Sequence, residues 1–155
     1  MSNRIHTSIG KINVSNNTGD IITIHGIGSC IGLTMYDKKK KIGGMAHILV
    51  PNKTIPAKEH LPALNPEEAV PNLLKELTKL GARKENIETN IVGGAHLKNL
   101  SKLTTKIGEK NILSVKKVLA DHEIYICKED VGGVYARRLS LHIEDGQIHS
   151  KTILI

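Results

Sequence analysis

The chain has 155 residues, of which 39% are hydrophobic, enough for one domain, residues 1–155, with a sizeable apolar core. Aromatic residues make up only 2% of the chain, and there is no Trp or Phe, so few side chains could stack on bases or flat cofactors. We therefore expect no nucleic-acid partner. The formal net charge is +7, with basic and acidic residues interleaved, which predicts either a solvated lysine-rich surface or attraction to an acidic protein partner.

The two cysteines, Cys30 and Cys127, lie far apart in a chain whose first ten residues are polar and lack an apolar targeting segment. No apolar run approaches the roughly 20 residues that span a bilayer. We therefore expect a reduced, cytoplasmic protein without direct membrane insertion. Because Cys127 follows the sequence Ile-Tyr-Ile, we expect it to be a core residue.

The first half of the chain predicts strands joined by turns. Residues 1–20 are mainly polar with isolated apolar points, and they end in a turn at residues 15–20. Strand-like stretches rich in β-branched and other apolar residues follow: residues 21–25, 30–36 and 42–50. Residues 37–40 suit a four-residue hairpin loop between the last two of these strands.

This hairpin has a register that can be counted. If Tyr36 faces Lys41 across the loop, Cys30 lies directly opposite His47, on the same face and with a short distance between the two Cβ atoms. A bulge at Gly43-Gly44 would change that register.

The second half of the chain adds helices. Residues 51–65 predict a long loop over the site. A helix is predicted from Pro66 to Leu80, with its regular part starting near Pro71 and a C-cap at Gly81. A second helix is predicted at residues 108–121, and further strands at residues 87–92, 124–127, 138–143 and 147–154. The pattern is that of a mixed α/β (α+β) fold.

Cys30 is the strongest candidate for chemistry because it lies in a glycine-rich segment, Gly26 to Gly32, where a substrate can approach the sulfur. A thiol with a neighbouring imidazolium has a pKa lowered toward or below neutrality and attacks carbonyl carbons. His47 is the matching base, and backbone N–H groups around Gly28 and Ser29 are candidate oxyanion donors. The alternative is a small core cysteine and a core histidine bonded to the backbone.

The other histidines lack the spacing of zinc ligands, although distant residues could still assemble a site. No glycine-rich loop carries the lysine of a phosphate-binding motif. We therefore expect no metal and no cofactor. The histidines concerned are His25, His96, His122, His142 and His149.

Several stretches together resemble the CheD family of chemoreceptor glutamine deamidases. They are residues 26–30, 43–51 with His47, 91–95, 107–111 and 129–133 running on to Arg137. The resemblance implies a three-layer sandwich of β-sheets with two main helices, related to the bacterial toxin deamidases, with Cys30 and His47 as catalytic residues. It also implies hydrolysis of receptor glutamine side chains, with methyl-ester hydrolysis as a secondary activity, and two partners: methyl-accepting chemoreceptors and the phosphatase CheC.

Two positions depart from the family pattern. The family's third catalytic residue is a threonine six residues before the cysteine, and that position is Ile24 here. Thr23 is the nearest threonine, but in a regular strand it points to the opposite face, and an irregular strand end would be needed to bring it to the site. Tyr135 stands where the family often has a basic residue.

These observations give two hypotheses. In the first, the chain is an amidohydrolase that uses Cys30 and His47, and loss of the orienting threonine reduces its catalysis without abolishing it. In the second, it is a catalytically weak or inactive module that binds chemoreceptors or the CheC phosphatase. A thiol pKa well below neutrality favours the enzyme.

Overall fold

The computed structural model describes residues 3–97 and 106–154. Within these ranges the chain forms nine strands, two α-helices and a short 3₁₀ turn at Lys84–Asn86. The strands are β1 (Asn3–His6), β2 (Ile12–Ser15), β3 (Asp20–Ile27), β4 (Ile31–Asp37), β5 (Ile42–Ile48), β6 (Ile87–Gly93), β7 (Ile126–Val131), β8 (Arg137–His142) and β9 (Ile148–Thr152). The helices are α1 (Pro66–Lys79) and α2 (Ile107–Asp121).

The strands form two mixed sheets. One has the order β2-β5-β4-β6-β7 and the other the order β1-β3-β8-β9. The β1–β3 and β6–β7 pairs are parallel and the other pairs are antiparallel. The mixed α/β prediction is confirmed.

The five-stranded sheet is the middle of three layers. Side chains alternate between the two faces of a strand, so each face of this sheet has its own core. On one face, Ile31, Leu33 and Met35 of β4 pack with Leu73 of α1 and other helix residues. On the other face, Tyr36 and Met45 pack against apolar residues of β3 and β8, among them Ile22, Ile24, Leu139 and Leu141. Cys30 belongs to this second core, between the sheets.

Helix α1 begins at Pro66, as predicted, and it is regular from its first turn. The Asn65 side chain accepts a hydrogen bond from the Glu68 N–H at 3.0 Å and caps the helix, with Pro66 as its first residue. The prediction that the regular part starts near Pro71 is therefore wrong: Pro71 lies inside the helix. A proline there removes the bond that its N–H would donate, and its ring crowds the carbonyl of the preceding turn. The Asn65 cap offsets part of that cost. No helix within the described residues is long and apolar enough to cross a membrane.

Three edge strands differ from the sequence predictions. Strands β1 and β2 lie in a segment for which no strand was predicted, because each has only four residues and an incomplete apolar pattern. Strand β7 runs over Ile126–Val131 instead of 124–127, and it carries exposed polar residues along the edge of its sheet. Cys127 is exposed on this strand, so the expectation of a core cysteine is wrong.

The β4–β5 hairpin also has a different register. Asp37 pairs with Ile42, and the loop is formed by residues 38–41. The Asp37 carboxylate accepts hydrogen bonds from the N–H groups of Lys39 and Lys40 at 3.0 and 3.1 Å, which makes Asp37 the last strand residue and not the first loop residue. As a result Gly32, not Cys30, lies opposite His47. Because the shift is one residue on each strand, two in total, Cys30 and His47 still share a face.

Candidate active site

Cys30 lies at the end of a bend between β3 and β4, and only 8% of it is exposed. The carbonyl groups around it are all bonded to neighbouring segments. The Gly28 carbonyl accepts from Ala95 N–H at 3.0 Å and the Cys30 carbonyl from Gly94 N–H at 2.8 Å. The Ser29 carbonyl accepts from the Asn111 side chain at 2.8 Å.

These bonds also set the direction of the N–H groups in the bend. In a planar trans peptide the N–H points away from the preceding carbonyl. The N–H groups of Ser29 and Cys30 therefore point away from the 94–95 turn and from α2. Neither donates to a backbone carbonyl of the described residues. They are candidate donors for a tetrahedral oxyanion formed at Cys30.

A second glycine turn, at the end of the neighbouring strand β6, packs against the cysteine segment. Gly93 has a φ of 121°, and a Cβ atom at this position would lie 2.3 Å from the Cys30 carbonyl oxygen. Only glycine combines this backbone conformation with such a close approach. The turn at Gly93-Gly94 therefore restricts where the Cys30 backbone can lie beside β6.

His47 is 4% exposed and lies two residues after Met45, so its ring faces the four-stranded sheet. Its Nδ1 is 3.0 Å from the carbonyl oxygen of Thr7, a residue that is fully buried. A carbonyl can only accept, so Nδ1 carries the hydrogen and Nε2 keeps its lone pair. Nε2 is thereby left as the basic nitrogen.

Burial determines the protonation of both groups. It raises the pKa of the Cys30 thiol to about 11, although a hydrogen bond from its own backbone opposes this shift. It lowers the pKa of His47; the Thr7 carbonyl opposes this effect and nearby His6 adds to it. Both are therefore neutral near pH 7, and no hydrogen bond joins the thiol to the ring. The expected depressed thiol pKa is not found. With both groups neutral, attack by the sulfur requires a base that takes the thiol proton as the new bond forms.

The position of the family threonine is apolar. Ile24 is fully buried in the core between the sheets, and its Cδ1 would lie 3.3 Å from a Cβ at Gly32, the residue opposite His47.

Thr23 points to the other face of β3, as the strand alternation predicts. Its Oγ1 is 3.4 Å from the Ile5 carbonyl oxygen, and it lines a groove with Arg4, His25 and Arg138. The structure brings Cys30 and His47 to one face but leaves Thr23 outside.

Two residues at this site were not found from the sequence. Thr7 acts through its backbone carbonyl, which leaves no signature in the choice of side chain. Asn111 is fully buried in α2 and contacts the residue before Cys30. It lies in a stretch that matches the family, but nothing in its spacing indicates a contact with the cysteine segment.

A three-layer α/β sandwich with a buried thiol and a buried imidazole on one face has the features of a thiol hydrolase. The family CheD, described as "CheD chemotactic sensory transduction", matches residues 49–152. The chain is 39% identical to the "Probable chemoreceptor glutamine deamidase CheD" of Clostridium novyi (strain NT), over 96% of this chain and 93% of that protein. Identically named proteins of Clostridium kluyveri and Clostridium acetobutylicum are 37% and 35% identical, over 96% of this chain and 93% and 90% of theirs. The chain belongs to the CheD family.

Proposed function

We propose that this chain is a chemoreceptor glutamine deamidase that hydrolyses receptor glutamine side chains to glutamate and ammonia in chemotaxis adaptation. The observation that carries the proposal is the hydrogen bond from His47 Nδ1 to the Thr7 carbonyl, which leaves Nε2 as a base on the face that His47 shares with Cys30. The names of the relatives, which match nearly the whole chain, support the substrate.

The first half of the reaction forms a thioester. His47 Nε2 takes the proton of the Cys30 thiol as the sulfur attacks the carboxamide carbon, and the C=O bond opens to an oxyanion. The N–H groups of Ser29 and Cys30 bind that oxyanion. When the C=O bond re-forms, the C–N bond breaks and the His47 imidazolium gives its proton to the leaving nitrogen, which departs as ammonia.

The second half releases the product. His47 takes a proton from water, whose oxygen attacks the thioester carbon to form a second oxyanion at the same donors. The C–S bond then breaks, and the sulfur recovers its proton from His47. One water is consumed, and one amide becomes one carboxylic acid.

The test is mass spectrometry of a receptor cytoplasmic fragment incubated with the protein. Each converted glutamine gains about 1 Da, the mass difference between an acid and an amide. A Cys30→Ala variant is expected to produce no gain, and a Cys127→Ala variant, which alters the exposed cysteine on β7, is expected to match the unaltered protein. Equal conversion by Cys30→Ala would refute the mechanism.

The raised thiol pKa and the apolar Ile24 favour a second candidate, in which the fold binds receptors or the phosphatase without efficient catalysis. The same experiment separates the two. A binding module leaves the receptor mass unchanged but still forms a complex with the receptor fragment, and the Cys30→Ala variant forms that complex equally well.

We extend the proposal to the setting of the reaction. The substrates are methyl-accepting chemoreceptors, a CheC-type phosphatase is a binding partner, and the chain acts in the cytoplasm as a single domain. Isothermal titration with purified CheC tests the second partner. A measurable heat of binding that persists in the Cys30→Ala variant is expected, and no heat under conditions in which both proteins are folded would refute that part.

A further inference from the structure

Asn111 connects the cysteine segment to the strand that carries His47. It lies in the second turn of α2 and is fully buried. Its Nδ2 donates two hydrogen bonds, one to the Ser29 carbonyl at 2.8 Å and one to the Leu49 carbonyl at 3.2 Å. Ser29 immediately precedes Cys30, and Leu49 follows His47 by two residues.

The side chain acts where the strand pairing stops. The last pair of the β4–β5 ladder is Ile31 with Ile48. Beyond it the backbones separate, and the N–H groups of Leu49 and Val50 both turn to the Leu64 carbonyl, at 3.2 and 3.0 Å. Asn111 replaces the missing rungs by joining one carbonyl from each strand.

The amide is suited to this position. An asparagine side chain has two N–H hydrogens that diverge from one nitrogen, so it can serve two carbonyl acceptors at once. The reversed orientation would place Oδ1 against two carbonyl oxygens, so the contacts determine which end is the nitrogen. Oδ1 accepts no hydrogen bond from the described residues, which leaves the two donated bonds to fix the side chain.

The bond to Ser29 also determines the direction of the next N–H group. The Ser29 carbonyl and the Cys30 N–H belong to one planar peptide and point in opposite directions. When Asn111 holds the carbonyl toward α2, the Cys30 N–H is held away from α2. Without this contact the Ser29–Cys30 peptide can rotate, and the Cys30 N–H then no longer points in one fixed direction.

We infer that Asn111 is a positioning residue that aims the Cys30 N–H at the oxyanion of the reaction while holding the Cys30 and His47 strands at a fixed separation. This inference rests on the proposed function, because it assigns a role in the same reaction. Asn111 does not touch the substrate and acts only through the Ser29–Cys30 peptide.

The experiment compares amide hydrolysis with alkylation of the same thiol. Alkylation of Cys30 by iodoacetamide displaces iodide at a saturated carbon and forms no oxyanion, so it reports thiol access and ionisation alone. The Asn111→Ala variant, in a Cys127→Ala background, is expected to lose about 10- to 100-fold in kcat on a receptor fragment, less than the roughly 10²–10³ lost when an oxyanion donor is deleted. KM and the alkylation rate should each stay within about threefold, because substrate binding and the thiol are unchanged.

Two further variants complete the design. The serine of Asn111→Ser is smaller than asparagine but keeps one hydrogen-bond donor, so this variant tests the same point if Asn111→Ala does not fold. Its kcat is expected to lie between that of the unaltered protein and that of Asn111→Ala. Ser114→Ala is the matched control, since Ser114 is on the same helix and donates to the Pro51 carbonyl instead of to the segment that precedes Cys30. Its kcat is expected to stay within about twofold of the unaltered protein, as for a change outside the reacting groups.

The outcomes separate the inference from the proposed function. An unchanged kcat in both Asn111 variants, with the unaltered protein active, overturns the inference alone. An alkylation rate that falls in parallel with kcat also overturns it, because the effect is then a general collapse of the site. A loss of kcat in Ser114→Ala equal to that in Asn111→Ala also overturns the inference, because the effect is then not specific to Asn111. No conversion by the unaltered protein overturns both.

Discussion

His47 Nδ1 is bonded to the carbonyl oxygen of Thr7 at 3.0 Å, so the backbone orients the ring. Thr7 directly follows β1, and its own N–H donates to the Thr23 carbonyl at 2.7 Å. The first strand of one sheet therefore fixes a histidine in the other sheet. Orientation of a base needs an acceptor at Nδ1, and a main-chain carbonyl supplies it as well as a side chain does.

Substitution of Thr7 by valine is the direct test of this relationship. The change keeps the carbonyl but removes a buried hydroxyl, which accepts from Asn13 Nδ2 at 3.0 Å. Loss of such a bond should lower the free energy of unfolding by about 1 kcal/mol, measured by urea denaturation. Deamidation should stay within about threefold, since the acceptor of His47 is intact. A loss as large as that of His47→Ala would show that the hydroxyl, not the carbonyl, matters.

Ile24 provides a second test, because it occupies the position of the family threonine in a fully buried core. Ile24→Thr removes a methylene group and buries a hydroxyl there, which should lower the free energy of unfolding by about 2 to 3 kcal/mol. Ile24→Val removes the methylene group alone and should cost about 1 kcal/mol. Urea denaturation of both variants isolates the cost of the hydroxyl. Equal stability of the two would mean that the hydroxyl finds a hydrogen-bond partner at this position.

The sequence predicted the elements whose apolar residues follow a clear period. Helix α1 and the central strands β3 to β6 appear within two residues of their expected bounds, apart from the earlier start of the regular part of α1. Each of these strands has neighbours on both sides or a buried face, so burial selects its residues. The edge strands β1, β2 and β7 have fewer apolar contacts, and their sequences resemble loops.

The site was predicted in part. The shared face of Cys30 and His47 follows from strand alternation, which a shift of one residue on each strand leaves intact. The direct pairing was wrong because Asp37 closes the hairpin loop through its side chain. The prediction of a lowered thiol pKa was wrong. That pKa depends on apolar residues of β3 and β8, strands distant in sequence, which pack around Cys30 only after folding.

The raised pKa of Cys30 predicts how its reactivity depends on pH. In a Cys127→Ala background, the rate of iodoacetamide alkylation should rise with pH throughout the alkaline range, toward an inflection near the pKa of about 11. The reason is that only the thiolate reacts, and burial disfavours it. Quantitative mass spectrometry of the Cys30 peptide measures the rate. An inflection below neutrality would show that His47 ionises the thiol in the resting protein.

The lowered pKa of His47 predicts a loss of stability in mild acid. Burial makes the folded state bind this proton less readily than the unfolded chain, whose histidine pKa is near 6.5. The stability is therefore fully present above about pH 6.5 and is lost as the pH falls through the lowered folded-state pKa. Urea denaturation between about pH 5.5 and 7.5 should show this slope, and His47→Gln should reduce it.

A second histidine contributes to the same slope. The pKa of His6 is also lowered, by burial and by His25, with which it stacks at a ring-centroid distance of 4.2 Å. Some pH dependence should therefore persist in His47→Gln, and adding His6→Gln should reduce it further. An unchanged slope in the His47 variant would contradict the assigned pKa direction.

Gly93→Ala should damage the site and the fold together. Its φ of 121° disfavours any side chain, and the new methyl group would lie 2.3 Å from the Cys30 carbonyl oxygen and 2.6 Å from Ile27 Cγ2. The clash can be relieved only by moving the Cys30 backbone, so we expect about 2 to 4 kcal/mol of destabilisation and at least a tenfold loss of kcat.

Gly132→Ala is the matched control, because Gly132 also has a positive φ, 81°, but no atom lies within 4 Å of its added Cβ. It should cost only the backbone strain, about 1 to 2 kcal/mol, and retain kcat. Equal losses of kcat in the two variants, by receptor mass spectrometry, would show that the contact of Gly93 with Cys30 does not position the nucleophile.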